Sequence, residues 1–148
     1  MTPSAARGRN EHRARSFARR LALQALYQLQ INPLPWQDVH AQLIRDPEAS
    51  RADHDYFRAL LSEIAVQREQ LDARIAQWSE ITPADLDPIE HAALWLGLHE
   101  LAGHPEVPYR VAITEAVDLA KRFGAADGHK FVNAVLDEAA RALRPHEH

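Results

Sequence analysis

Cysteine is absent from the chain. A disulfide scaffold, a thiolate metal site and a thiol nucleophile are therefore excluded, and a reducing compartment is favoured. Glycine is scarce, at five of 148 residues, and none sits in a phosphate-cradling loop or a G-x-S-x-G elbow. No apolar run reaches the ~18 residues of a membrane span, and the N-terminus lacks the apolar core of a signal peptide. The expectation is a soluble, cytoplasmic protein with no membrane partner. Strand-length alternation of apolar and polar residues is missing too.

What remains is helical spacing on a chain that is 46% apolar and 26% charged, long enough for one globular domain. Net charge is −4, but it is unevenly spread. Residues 1–20 hold six arginines (7, 9, 13, 15, 19 and 20) against one acid, Glu11; the remainder holds 11 basic and 20 acidic residues. A basic arm on an acidic body points to an anionic partner for the arm, although a solvated tail has the same composition.

Six helices are expected. Ser16 can cap the first, whose face is Phe17, Leu21, Ala25 and Leu29; Pro33 and Pro35 stop it. Trp36, Val39, Leu43 and Ile44 suggest a short second helix, ended near Pro47, with a polar loop over 45–52. Asp53 can cap a long third helix with the stripe Phe57, Leu60, Leu61, Ile64, Leu71, Ile75 and Trp78. In "DLDPIE", Asp87 reads as the cap, Pro88 as the first helical residue and Glu90 as a capping-box partner. The fourth helix, 88–102, is apolar nearly all round and should be central. A fifth runs from about Pro108 to Phe123, with Gly124 as a left-handed stop. A sixth runs from about Gly128 to Leu143, capped by Asp127, with Val132, Val135, Leu136, Ala139 and Leu143 inward. Residues 1–12 are expected to be a mobile basic arm and 13–148 a single helical domain.

Catalytic patterns are lacking. His99-Glu100-x-x-x-His104 approaches a zinc-hydrolase motif, but spacing of five at ~100° per residue turns the second ring roughly 140° away, and Gly103 and Pro105 break the helix. The expectation is no metal, no cofactor and no catalytic residue. Binding constellations are left. Ser16, Arg20, Leu23 and Tyr27 share one face beside the first helix's core stripe, bordered by Arg19. Arginine can pair with phosphate, and tyrosine can stack or hydrogen-bond; the same Leu23 and Tyr27 also suit packing on a neighbouring helix. Lys130 and Phe131 fall in the first turn of the sixth helix, where free N–H groups favour anions. Phe131 can stack on a base or pack against Phe123.

Three blocks carry a resemblance. "VPYRVAITEAVDLAKRFGAADGHKFVNAVLDEAAR" resembles the C-terminal signature of the NusB family of transcription antitermination factors, "IEHAALWLGLHEL" its central helix and "ARRLALQALYQLQ" its first helix. With "DYFRALLSEI", the similarity runs from about Arg13 to Pro145. It implies an all-α fold, a compact bundle of about six to seven helices in two packed subdomains, without catalysis. It also implies binding of single-stranded boxA RNA in nascent ribosomal RNA transcripts, together with the ribosomal protein NusE, within the RNA polymerase antitermination complex of Nus factors.

By the same resemblance Arg13, Arg15, Arg19 and Arg20 contact RNA. Tyr27 lies at the partner and RNA face, with Leu23 beside it as a partner contact. Glu90, Asp127 and Phe131 border the RNA–partner surface, and Lys130 joins them by proximity. The chain departs from the family pattern where Ser16 and Phe17 interrupt the arginine run. It departs again at His91 and Trp95, where basic residues are common, at His99 in place of Tyr, at Ala126 in place of Glu and at Gly128 in place of Ser. The alternative is a helical protein-interaction module with no RNA role. One version, an accessory domain of a ribosomal RNA methyltransferase, is disfavoured by a chain ending at 148 without a catalytic extension.

Overall fold

The helices form where apolar residues recur at helical spacing, and proline marks most of the joints between them. The computed structural model describes residues 3–147; residues 1 and 2 of the expected arm, and residue 148, lie outside the described residues. The elements are α1 (Pro3–Ile31), α2 (Trp36–Leu43), α3 (His54–Trp78), α4 (Pro88–Gly103), α5 (Tyr109–Phe123) and α6 (Gly128–Leu143), with short 3-10 turns at Pro47–Arg51, Pro83–Asp85 and Pro145–Glu147. No strand occurs among the described residues. The all-α expectation holds. The chain divides into two compact units, Met1–Ala65 and Val66–His148, with the boundary inside α3.

In the first unit, α1 starts at Pro3 rather than at Ser16. Proline is well placed in a first turn, and nothing between it and Pro33 stops a helix: Gly8 costs about 1 kcal/mol relative to Ala but does not break the turn. Ser16 is thus an interior residue. Leu21, Ala22, Ala25, Leu26 and Leu29 are buried. α2 turns Val39 and Leu43 inward, while Ile44 has already left the helix as its C-cap. The expected loop after it holds a 3-10 turn, whose N-cap Asp46 accepts from Glu48 N at 2.9 Å. Asp53 caps α3 as expected, its Oδ1 accepting from Tyr56 N at 3.0 Å. Its own N–H donates to the Ala14 carbonyl at 3.0 Å, which ties the start of α3 to α1.

In the second unit, α4 is buried from Glu90 to Leu101, as a helix apolar on all sides must be. α5 and α6 pack on it and on each other. Gly97 permits that approach: a Cβ there would lie 2.6 Å from Leu136 Cδ1 and 3.3 Å from Ala116 Cβ. Gly124 does end α5, but in extended backbone at φ −94°, so the left-handed stop is corrected. Its requirement is space, since a Cβ would sit 2.6 Å from the Ala120 carbonyl oxygen. α6 has the expected bounds, with Val132, Val135, Leu136 and Ala139 buried and Leu143 half-buried.

Arg144 closes this unit. Its guanidinium is buried and donates to the carbonyl oxygens of Glu100, Leu101, His104 and Val107 at 2.8–3.1 Å, and to Glu147 Oε1 at 2.5 Å. These acceptors include the Leu101 carbonyl at the end of α4, whose helical donor would be Pro105, a residue with no N–H. Glu147 Oε2 in turn accepts from Tyr109 N, the first residue of α5, at 3.1 Å.

Candidate nucleic-acid interface

The arginines of α1 divide by exposure. Arg7, Arg9 and Arg13 are exposed, Arg15 and Arg20 half-buried, and Arg19 only 2% exposed. Arg15 and Arg19 are one turn apart, so both reach the same ring. Their guanidinium carbons lie 4.3 and 5.5 Å from the Tyr56 centroid, within cation–π range. Arg15 Nε also lies 4.0 Å from Asp53 Oδ2. Arg20 lies over the Phe17 ring at 5.4 Å. Further along, Leu23 is enclosed at 2% exposure while Tyr27 is 38% exposed. The face from Ser16 to Tyr27 is therefore not a uniform surface. Tyr27 presents the most of it to solvent, and Arg13, just before it in α1, is exposed as well.

In the second unit, the starts of α4 and α6 bring Glu90, Asp127, Lys130 and Phe131 onto neighbouring turns. Asp87 caps α4 through Oδ1, accepting from Ile89 N at 2.9 Å and Glu90 N at 3.3 Å. Asp127 occupies the N-cap position of α6, but its side chain accepts no capping bond. That corrects the expected cap. The backbone there, at φ −112° and ψ 5°, is not the extended conformation that aims a side chain back at the helix. The Asp127 carboxylate instead meets Lys130 Nζ at 3.3 Å, and both side chains are largely exposed. Phe131 is half-buried.

Glu90 behaves differently from a capping-box residue. It is 7% exposed, its carboxyl lies in the space that a Cβ on Gly128 would fill, and its Oε2 is buried without a hydrogen-bond partner. Burial, a hydrogen bond with the Asp87 carboxyl and the Asp87 charge push the Glu90 pKa up to about 7. Burial raises Asp87 as well, but its bonds from the Glu90 side chain and from the N–H groups of Glu90 and Ile89 outweigh this and hold it below the usual range.

One residue near this surface, Arg122, escaped the sequence argument. Phe123, the packing alternative to base stacking for Phe131, is 40% exposed, and the Arg122 guanidinium carbon lies 5.2 Å from its ring centroid. The signal available was its place at the last turn of α5, outside the Ile113–Ala116–Ala120 stripe.

His91 and Trp95, which depart from the family's basic residues, both turn to Asp72. His91 Nε2 lies 2.6 Å from Asp72 Oδ1, and Trp95 Nε1 donates to the same oxygen at 2.8 Å. Both are buried, so they form an internal bracket. The spacing argument that separated His99 from His104 is also corrected: their ring centroids are 5.1 Å apart. α4 ends at Gly103, so His104 leaves helical geometry at φ −127° and ψ 74° and folds back. Glu106 Oε1 lies 2.8 Å from His104 Nδ1.

These features define an all-helical protein with a cationic first helix and an acidic, aromatic corner at its last helix. No helix among the described residues is long and apolar enough to cross a membrane. The NusB family model matches residues 16–141. The transcription antitermination protein NusB of Pseudoalteromonas atlantica is 42% identical over 134 residues, covering 90% of this chain and 96% of that protein. That of an Enterobacter species is 45% identical over 132 residues, covering 89% and 95%. Among solved structures, T. maritima NusB matches with a TM-score of 0.76 at 24% identity, covering 85% of this chain and 89% of that one. A crystal structure of NusB and NusE in complex with double-stranded RNA matches with a TM-score of 0.75 at 23% identity, covering 86% and 96%. The chain belongs to the NusB family.

Proposed function

We propose that the protein is a cytoplasmic transcription antitermination factor. It binds boxA-type single-stranded RNA in nascent ribosomal RNA transcripts together with NusE, as part of the RNA polymerase antitermination complex, and catalyses nothing. The observation that carries this reading is the family match over 16–141, which contains every proposed site residue except Arg13 and Arg15. A solved family relative with NusE and RNA supports it.

The side chains suit the task. Phosphates position a single strand, while stacking and base-edge contacts read it. Arg13 is exposed and Arg15 and Arg20 are half-buried, so each has surface to offer a phosphate. The Tyr56 ring, which Arg19 also approaches, holds the direction of the Arg15 guanidinium. Phe131 and Phe123 offer ring faces, each stacked base being worth ~1–3 kcal/mol. Lys130 sits at a helix N-terminus, where negative charge is favoured. Glu90 and Asp127 can accept from base amino groups. Tyr27 serves the NusE face, with Leu23 beneath it. Residues 7–13 are all exposed. With no packing to hold that helix turn by turn, it frays in solution and acts as the basic arm.

The test is titration of a boxA-type strand, a scrambled strand and a boxA duplex, with and without NusE, at two salt concentrations. The single strand should bind best, more tightly with NusE and less tightly at high salt. Equal binding of the scrambled strand would remove sequence recognition from the model. Binding of NusE alone would leave a protein-interaction module.

A further inference from the structure

We propose that Gly128 is a positioning residue for RNA recognition: by lacking a side chain it lets the Glu90 carboxyl fold inward onto the first turn of α6, so that Glu90 alternates between an enclosed protonated placement and an outward ionised one, and only the outward carboxylate accepts from an RNA base amino group. This rests on the reading that the α4–α6 corner borders the RNA.

The geometry gives the inward placement its shape and its weakness. The carboxyl occupies the volume of the missing Gly128 side chain, and any Cβ there would fall on it. It is more than nine-tenths enclosed, yet Oε2 has no partner. Oxygen left unpaired in an enclosed site is costly when neutral and far more so when charged. The Asp87 carboxyl acts on Glu90 through hydrogen bonding and through its charge, and both favour a protonated Glu90. Asp87 also receives two backbone N–H groups and stays ionised. The proton therefore resides on Glu90.

The surrounding charges do not replace that proton. On α4, the charge acting on Glu90 is that of Asp87, while His91 is engaged with Asp72. On α6, Lys130 and Asp127 pair with each other at the surface, and His129 Nδ1 is buried without a partner. At the end of α5, Lys121 and Arg122 are exposed. Once the proton leaves, the Glu90 carboxylate is enclosed and acted on by the Asp87 charge. Rotation of Glu90 to the surface relieves this. It also places an ionised acceptor beside Lys130 and Phe131, a cation and a ring that suit a nucleotide.

The dissociation constant is divided by the fraction of protein in the competent placement, so affinity falls in proportion to that fraction. With Glu90 titrating at about 7, boxA-type RNA should bind about tenfold more weakly at pH 6 than at pH 8. In Gly128→Ala the inward space is gone, so affinity should be level from pH 6 to pH 8, at the parent's pH 8 value. Glu90→Gln, which stays inward, should be level and weak. Carbon-13 NMR of the Glu90 carboxyl in the free protein gives an independent readout. It should titrate near neutrality in the parent and in the ordinary carboxylate range in Gly128→Ala.

If the parent and Gly128→Ala share one pH profile while boxA still outbinds a scrambled strand, the inference is overturned and the functional reading stands. A pH dependence that appears only when NusE is present also overturns it, because the acceptor would then serve protein. If boxA has no preference at any pH, the functional reading fails, and the inference falls with it. The NMR titration would then report only on how Glu90 is packed.

Discussion

Arg144 Nε donates to the Leu101 carbonyl at 2.8 Å across 43 residues of chain. The same guanidinium reaches the carbonyls of Glu100, His104 and Val107. It joins the end of α6 to the end of α4 and the loop after it. Glu100 and His104 keep backbone donors in His104 N and Val107 N, but removing the guanidinium strands the Leu101 and Val107 carbonyls, each at a cost of ~1–3 kcal/mol. Arg144→Ala should therefore lower unfolding free energy by about 3 kcal/mol. Arg144→Lys should recover less than half of that, since an ammonium has three donors and no planar fork. Chemical denaturation of both variants measures the difference.

Gly97 leaves room on α4 for Leu136 of α6 and Ala116 of α5. A methyl group there meets both Cδ atoms of Leu136, which is fully buried, and the Ala116 Cβ. Gly97→Ala raises helix propensity by about 1 kcal/mol, yet overpacking should win by ~1–3 kcal/mol. A net loss of thermal stability is expected, and Leu136→Ala in the same chain should relieve part of it.

Elements were legible in the sequence wherever local chemistry decides them. Asp87-Pro88-Ile89-Glu90 starts α4 as read, and the Val132–Val135–Leu136–Ala139 stripe sets α6. Three features were not legible, and each depends on groups distant in sequence or on a local conformation with close competitors. Pro3 through Arg15 hold good helix formers, so propensity carries α1 past the expected cap at Ser16. Gly124 was given left-handed backbone because that is the common role of glycine after a helix; contact with the Ala120 carbonyl is its role here. Glu90 fits the capping-box spacing, but α6 supplies a cavity at Gly128 that no pattern within α4 contains. Of the candidate RNA contacts, exposure of Arg13 and Tyr27 and enclosure of Arg19 and Leu23 follow from tertiary packing alone.

Asp87 and Asp127 look alike in sequence, each preceding a helix, and they differ in the fold. Asp87 accepts two backbone N–H groups, whereas Asp127 caps nothing. Asp87→Ala should therefore cost ~1 kcal/mol or somewhat more. Asp127→Ala should cost at most a few tenths, the value of an exposed pair such as Asp127–Lys130. Thermal melts of the two variants compare them directly. An equal loss would restore the capping role to Asp127.

Arg13 and Arg19 should separate RNA binding from folding. Arg13 is exposed; Arg19 is enclosed beside Tyr56. Arg13→Ala should leave the melting temperature unchanged and reduce the slope of log affinity against log salt by about 0.7, one phosphate on a single strand. Arg19→Ala should lower stability through lost packing, and weaken RNA binding by releasing Arg15 from its orientation over the ring. Melting curves and salt-dependent binding on the same samples test both statements.

The raised pKa of Glu90 also links stability to pH. The folded state holds the proton up to about pH 7, whereas an unfolded glutamate releases it near 4.5. Between those values the native chain binds more protons than the unfolded one, so stability falls as pH rises. The contribution is fully present below about 4.5 and gone above about 7. Asp87, with its pKa lowered, acts in the opposite sense, and its contribution disappears as pH drops below the usual carboxylate range. Glu90→Gln removes the Glu90 titration while keeping nearly the same volume. Parent and variant should melt closely together at pH 5, and the variant should melt higher at pH 8, where the parent must ionise an enclosed carboxyl or turn it outward. A parent that gains stability relative to Glu90→Gln between pH 5 and pH 8 would mean that Glu90 is held as a carboxylate by a partner in the fold.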